Sequence, residues 1–98
     1  MTREQILAEL QTLALSLDIT IRYEKGDFEG GFCILRAERI IVINKKLMLP
    51  KKVSVLARSL GEFGTDSVFI KPALRDFIEE EMAKAASPRR ESDDSREV

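Results

Sequence analysis

Two apolar runs joined by a short polar segment constrain this chain more than any other feature. The runs are FCIL, at residues 32–35, and IIVI, at residues 40–43, with RAER between them. Apolar runs of this length, joined in this way, are typical of a β-hairpin. The second run does not alternate with polar residues, as expected for a strand that is buried on both faces. We therefore predict that residues 40–43 form a central strand.

The segments before the hairpin predict a helix followed by a strand. Thr2 and Gln5 have the spacing of a capping box, and apolar residues then recur at helical period, which predicts a helix over residues 3–17. Residues 19–24, ITIRYE, alternate apolar and polar side chains and predict a half-exposed strand. Gly30 and Gly31 then break regular structure, and we expect the strand that begins there to lie at an edge of the sheet.

Two helices are expected after the hairpin. Pro50 and Pro72 suit the first turns of these helices, and Gly64 suits the position just past the end of the first. The predicted architecture is a small α+β domain over residues 1–86. It has an N-terminal helix, about three short and mostly antiparallel strands, and two further helices on one sheet face. Residues 87–98, SPRRESDDSREV, are too polar to form a core, which predicts a disordered tail.

Composition excludes several classes of protein. The chain has 98 residues and no histidine, which removes the commonest general base and a common transition-metal ligand. No apolar run reaches the roughly 20 residues of a membrane span. The only cysteine, Cys33, cannot form an intramolecular disulfide, which favours a cytoplasmic location. We predict no catalytic residues, no metal and no cofactor, and the net charge of -1 gives no general attraction to nucleic acid.

The order of elements from residue 17 to residue 63 resembles a known family. A strand, a glycine-containing stretch and a hairpin ending in Ile-Ile-Val-Ile-Asn precede a helix that contains VLARSLGEF at residues 55–63. This arrangement is similar to the core of the ImmA/IrrE zinc metallopeptidases, whose helix carries Ala-His-Glu-Leu-Gly-His. The resemblance implies a peptidase framework with a cleft beside an edge strand.

The residues that would make this framework an enzyme are different here. Arg58 stands at the position of the first ligand His, Ser59 at that of the general-base Glu, and Glu62 at that of the second ligand His. An arginine stays protonated and has no lone pair to give to zinc. The resemblance therefore implies a degenerate, non-catalytic module.

We predict that this domain binds another protein or a peptide. An exposed edge strand can accept an extended peptide through main-chain hydrogen bonds. The candidate binding surface combines that edge with the altered helix face and comprises Gly30, Gly31, Lys51, Lys52, Arg58, Ser59 and Glu62. A plainer interpretation is that Arg58 and Glu62, four residues apart, form an exposed ion pair on a packing helix.

Three alternatives remain open. The cationic residues Lys45, Lys46, Lys51, Lys52 and Arg58 form a cluster that nucleic acid would recognise. An enzyme of unrecognised type would use Glu62, Arg58 and Tyr23 in a cleft. Self-association through the exposed strand would produce a dimer, because unpaired strand edges can pair with each other.

Overall fold

The computed structural model describes residues 1–86, which form an α+β domain of three helices and a three-stranded sheet. In chain order the elements are α1 (Arg3–Ser16), β1 (Ile19–Glu24), β2 (Gly30–Leu35), β3 (Glu38–Asn44), α2 (Leu49–Phe63) and α3 (Pro72–Ala86). The predicted fold class is confirmed. The predicted tail, residues 87–98, lies outside the described residues.

The sheet has the strand order β1-β3-β2, so the apolar run of β3 is central as predicted. β2 and β3 form the expected antiparallel hairpin, whereas β1 is parallel to β3. The sheet is thus mixed, and only one of its two pairings is antiparallel. Consecutive strands do run in opposite directions. Because β3 inserts between β1 and β2 instead of adding beyond β2, it lies beside a strand of its own direction.

The hairpin turn is tighter than the sequence indicates. It consists of Arg36 and Ala37 alone, since β2 ends at Leu35 and β3 starts at Glu38. Both turn residues have positive φ, 52° and 69°, as a type I′ turn requires. Neither is a glycine or an asparagine, so the pattern of turn residues gave no sign of this geometry.

Helix α1 begins with the predicted capping box. The Gln5 backbone N–H donates to Thr2 Oγ1 at 3.1 Å, and the Thr2 N–H donates to Gln5 Oε1 at 2.8 Å. These two bonds satisfy donors that a helix start otherwise leaves unpaired. The buried face of α1 carries Leu10 and Leu13, which pack into the core.

Helices α1 and α2 cover one face of the sheet, and α2 is the most deeply buried element. Val53, Leu56 and Leu60 of α2 are completely inaccessible and meet Ile41 and Ile43 of β3 in a single core. Burying such side chains stabilises the fold by roughly 1.5–3 kcal/mol each. Helix α2 ends at Phe63, and the residue that follows is Gly64 with φ 101°, which confirms the predicted glycine past the end of the helix.

The prediction that both later helices pack on the sheet is wrong for α3, which packs mainly on α2. Gly61 explains the close approach of the two helices. A Cβ atom at Gly61 would lie 2.6 Å from the Met82 side chain and 3.2 Å from Ile78. The fold is therefore layered, with α3 on α2 and α2 on the sheet. Among residues 1–86, none of the helices combines the length and apolarity needed to cross a bilayer.

Candidate partner-binding surface

The free edge of β2 is the most exposed apolar part of the sheet. β2 has the sequence GGFCIL, with no charged residue and no proline, and lies at the end of the strand order. Ile34 is 66% exposed and Leu35 is 53% exposed. Edge strands usually carry charges, prolines or bulges that prevent pairing with another chain. β2 has none of these protections, and the prediction that it forms an edge is confirmed.

The hydrogen-bonding direction of β2 follows from a single contact. The Asn44 N–H donates to the Glu29 carbonyl at 2.9 Å, so Glu29 directs its backbone groups toward β3. Because direction alternates along an antiparallel pair, Gly31, Cys33 and Leu35 also bond to β3. The N–H and C=O groups of the intervening residues, Gly30, Phe32 and Ile34, point away from the sheet. Within residues 1–86 no strand lies beyond them.

A groove of about 600 Å³ lies between α2 and α3, and no residue of β2 lines it. Its floor is a stripe of α2 residues at helical spacing, Lys51, Ser54, Arg58 and Glu62. Glu81 and Lys84 of α3 form one wall. The groove lies close to the start of β2, because Glu29 Oε2 is 3.0 Å from Lys51 Nζ and Glu29 Oε1 is 3.7 Å from Arg58 Nη2.

The expected Arg58–Glu62 ion pair is absent from the part of the chain that the structure describes, where Arg58 faces Glu29. Glu29 shares its carboxylate between Lys51 and Arg58, which gives it two cations at once. Glu62 lies exposed at the groove. This arrangement connects β2 to α2 rather than stabilising one turn of α2.

Glu81 is a buried carboxylate that the sequence interpretation missed. It accepts a hydrogen bond from the Ser54 hydroxyl and another from Lys84 Nζ at 3.1 Å. Burial raises the pKa of Glu81, but these hydrogen bonds and the charges of Lys84 and Arg58 outweigh burial and lower the pKa below its ordinary value. Glu81 therefore remains ionised at neutral pH and ties α3 to α2. Glu81 lies seven residues, about two helical turns, after the buried Leu74, and this spacing indicates the buried face of α3. The acidic run at residues 79–81 instead suggested a position exposed to solvent.

Ser59 does not belong to the exposed surface, contrary to the prediction. It is completely buried, and its hydroxyl has no hydrogen-bond partner within residues 1–86. One residue along a helix turns the side chain by about 100°, so Ser59 points away from the groove that Arg58 lines. It lies on the face of Phe63, whose ring is 5.2 Å from that of Phe32 in β2.

The structure thus brings together part of the predicted surface. Lys51, Arg58 and Glu62 line the groove. Gly30 and Gly31 follow directly after Glu29, which contacts Lys51 and Arg58 of the groove. A Cβ atom at Gly30 would lie 2.1 Å from the Val42 carbonyl, whereas one at Gly31 would meet nothing within 4 Å.

Lys52 and Tyr23 lie apart from this surface, on the β1 side of the domain. Lys52 Nζ is 5.8 Å from the centre of the Tyr23 ring, and the Tyr23 hydroxyl accepts from Gln11 at 2.8 Å. Tyr23 does not line the groove with Arg58 and Glu62, so the three residues of the enzyme alternative do not converge. Residues 1–86 contain no cluster of three or more His, Cys, Asp or Glu side chains placed to hold a metal ion.

A scan against protein-family models found no match, and searches of curated proteins and of solved structures found no significant relative. The observations that bear on function are therefore the geometry of the β2 edge and of the groove.

Proposed function

We propose that this chain is a non-catalytic, protein-binding domain whose binding element is the free edge of β2. The observation that carries the proposal is the combination of three outward-facing backbone positions with an edge that has no charge and no proline. Main-chain hydrogen bonds to an added strand supply affinity, and pockets for alternate side chains supply specificity.

The two faces of an added strand would meet different residues of β2. Side chains on the helix side would lie beside Phe32, which packs against the core, and Ile34, which is 66% exposed. Side chains on the opposite side would lie beside Cys33 and Leu35, which are exposed and apolar. The preferred partner is thus an extended segment with apolar side chains on both faces.

The proposal includes kinship with the degenerate metallopeptidase framework and action in the cytoplasm. The position of Arg58 and Glu62 in a groove near the start of the edge strand β2 supports the first. The exposed thiol of Cys33 supports the second, because exposed thiols persist in a reducing compartment.

The nucleic-acid alternative has weaker support. Two of its five cationic residues, Lys51 and Arg58, already face Glu29, and Lys52 lies over Tyr23. A phosphate backbone would have to displace these contacts before binding.

Selection from a phage library of random linear peptides tests the proposal. The full chain should be immobilised sparsely so that its copies cannot pair with each other. We expect enrichment of extended, apolar sequences, and fluorescence anisotropy of a selected peptide should show weakened binding to Ile34→Lys, a charge at the β2 edge. The matched control is Thr20→Lys at the exposed β1 edge, which should bind as well as wild type. Failure to enrich any peptide, or equal binding to both variants, would refute the proposal.

A further inference from the structure

We propose that the strand that occupies the β2 edge is β2 of a second copy of this chain, paired antiparallel about a two-fold axis at Cys33. This inference rests on the proposed function and names the occupant of the edge. Two sheets of three strands would then join into one sheet of six. A two-fold interface of this kind uses the same surface of both copies, so that surface must be complementary to itself.

The backbone of β2 allows this pairing. Outward-facing groups lie on Gly30, Phe32 and Ile34, as the Asn44–Glu29 hydrogen bond determines. In a pairing centred on Cys33, Phe32 lies opposite Ile34 of the second copy, and both residues present their N–H and C=O groups to each other. Cys33 then faces Cys33 of the second copy as a non-hydrogen-bonded pair, with Cα atoms about 4.5 Å apart.

The side chains fit the same register. Leu35, exposed over 53% of its surface, would lie opposite Gly31 of the second copy, where a Cβ atom would meet nothing within 4 Å. Ile34, 66% exposed, would lie beside Phe32 of the second copy. A large side chain thus meets a position without a side chain, and two apolar side chains cover each other. Cross-strand apolar pairs contribute roughly 0.2–1 kcal/mol each.

The charges at the two ends of β2 are also complementary. Asp27 and Glu29 precede the strand, whereas Arg36 follows it in the turn. Antiparallel pairing places Arg36 of one copy opposite Gly30 of the other, at the end of the strand that Asp27 and Glu29 precede. Glu29 already contacts Lys51 and Arg58, so Asp27, which forms no ion pair within residues 1–86, is the acidic residue left to attract Arg36. This approach occurs twice, once at each end of the paired strands, and attraction between opposite charges favours the correct register.

Light scattering and oxidative cross-linking of the full chain test the inference. Wild type should be a dimer at about 0.1 mM. Copper–phenanthroline should join the two Cys33 thiols, since Cα atoms about 4.4–6.8 Å apart suit a disulfide. Ile34→Lys should raise the dimer Kd about tenfold or more, because its charge would be desolvated opposite Phe32. Thr20→Lys, at the other edge, should dimerise as wild type does.

A moved thiol tests the register. In the Cys33→Ser, Leu35→Cys variant the two thiols would lie on positions about 13 Å apart along the strand, so oxidation should not join them within the dimer. A dimer that cross-links equally through both positions, or that Ile34→Lys leaves unchanged, would overturn the inference. A monomer that still binds the selected peptides would overturn it and leave the proposed function standing, whereas a monomer that binds none would overturn both.

Discussion

The two edges of the sheet differ in how they meet solvent. β1 carries Arg22 and Glu24 on its outer face, joined by a salt bridge of 3.0 Å. Its Tyr23 is fixed by Gln11 of α1. β2 carries no charge over six residues and exposes Ile34 at its edge. Charged side chains on an edge discourage pairing with another chain, so the sheet ends at β1 and is open to continuation at β2.

The largest expected loss of stability comes from a substitution in β3, the strand that pairs with both edge strands. Ile41 of β3 is completely buried and lies opposite Ile21 of β1 and Phe32 of β2. Ile41→Ala should lower the free energy of unfolding by about 2–5 kcal/mol, through lost burial and a residual cavity. Urea denaturation measures the change. Ile34→Ala, the same deletion at the exposed edge, should cost under about 0.5 kcal/mol in the monomer. Equal losses would contradict the burial difference.

A substitution with a smaller effect on stability should loosen the β2 edge but not the β1 edge. The Asn44 side chain donates to the carbonyls of Gly26 and Phe28, both at 2.7 Å, and so holds the segment before β2 against β3. Asn44→Ala should cost about 2 kcal/mol, because two hydrogen bonds worth about 0.5–1.5 kcal/mol each are lost. Hydrogen exchange should accelerate at the start of β2 and much less in β1. Lys45→Ala, at an exposed neighbouring position, is the control. Acceleration in both edges alike would show that Asn44 supports the whole sheet.

The turn of the hairpin offers a stabilising change on the β2 side. Ala37 has φ 69°, where a side chain is unfavourable and glycine is not. Ala37→Gly should therefore raise the free energy of unfolding by about 1 kcal/mol. The same substitution at Ala8, exposed in helix α1, should lower it by about 1 kcal/mol. Chemical denaturation of both variants checks the signs, and a loss of stability at both positions would contradict the turn geometry.

The smallest expected contribution to stability is that of the Arg22–Glu24 salt bridge of β1. Arg22 and Glu24 are both about half exposed, so their coupling should be at most about 0.5 kcal/mol in a double-mutant cycle with Ala at each position. The coupling should weaken further at high salt. A salt-independent coupling above about 1 kcal/mol would mean that the pair stabilises β1 rather than only discouraging association.

Local patterns in the sequence predicted the parts of the fold that depend on neighbouring residues. The capping box of Thr2 and Gln5, the hairpin and the glycine that follows α2 are all short-range features, and each is confirmed. The position of β3 in the middle was also predictable, because an unbroken apolar run favours a strand with a neighbour on each side.

Other features depend on contacts between distant residues. The parallel pairing of β1 with β3 requires knowing where β3 inserts, and no local pattern gives that. Glu29 lies in a loop, so its contacts with Lys51 and Arg58 depend on how β2 meets α2. Ser59 was misplaced because its role came from a motif alignment rather than from the apolar period of α2, which makes its position buried. The candidate surface was thus predicted at its edge strand and only in part on its helix.

The insertion of β3 between β1 and β2 affects the order of folding. β1 gains its first neighbour only after the chain has been made as far as Asn44, whereas β2 and β3 are joined by a turn of two residues. Local pairings form faster than distant ones, so we expect the hairpin to fold first and β1 to dock last. Weakening substitutions in the hairpin should then slow folding, and those in β1 should mainly speed unfolding. During synthesis on the ribosome, β1 would wait unpaired while the next two strands emerge.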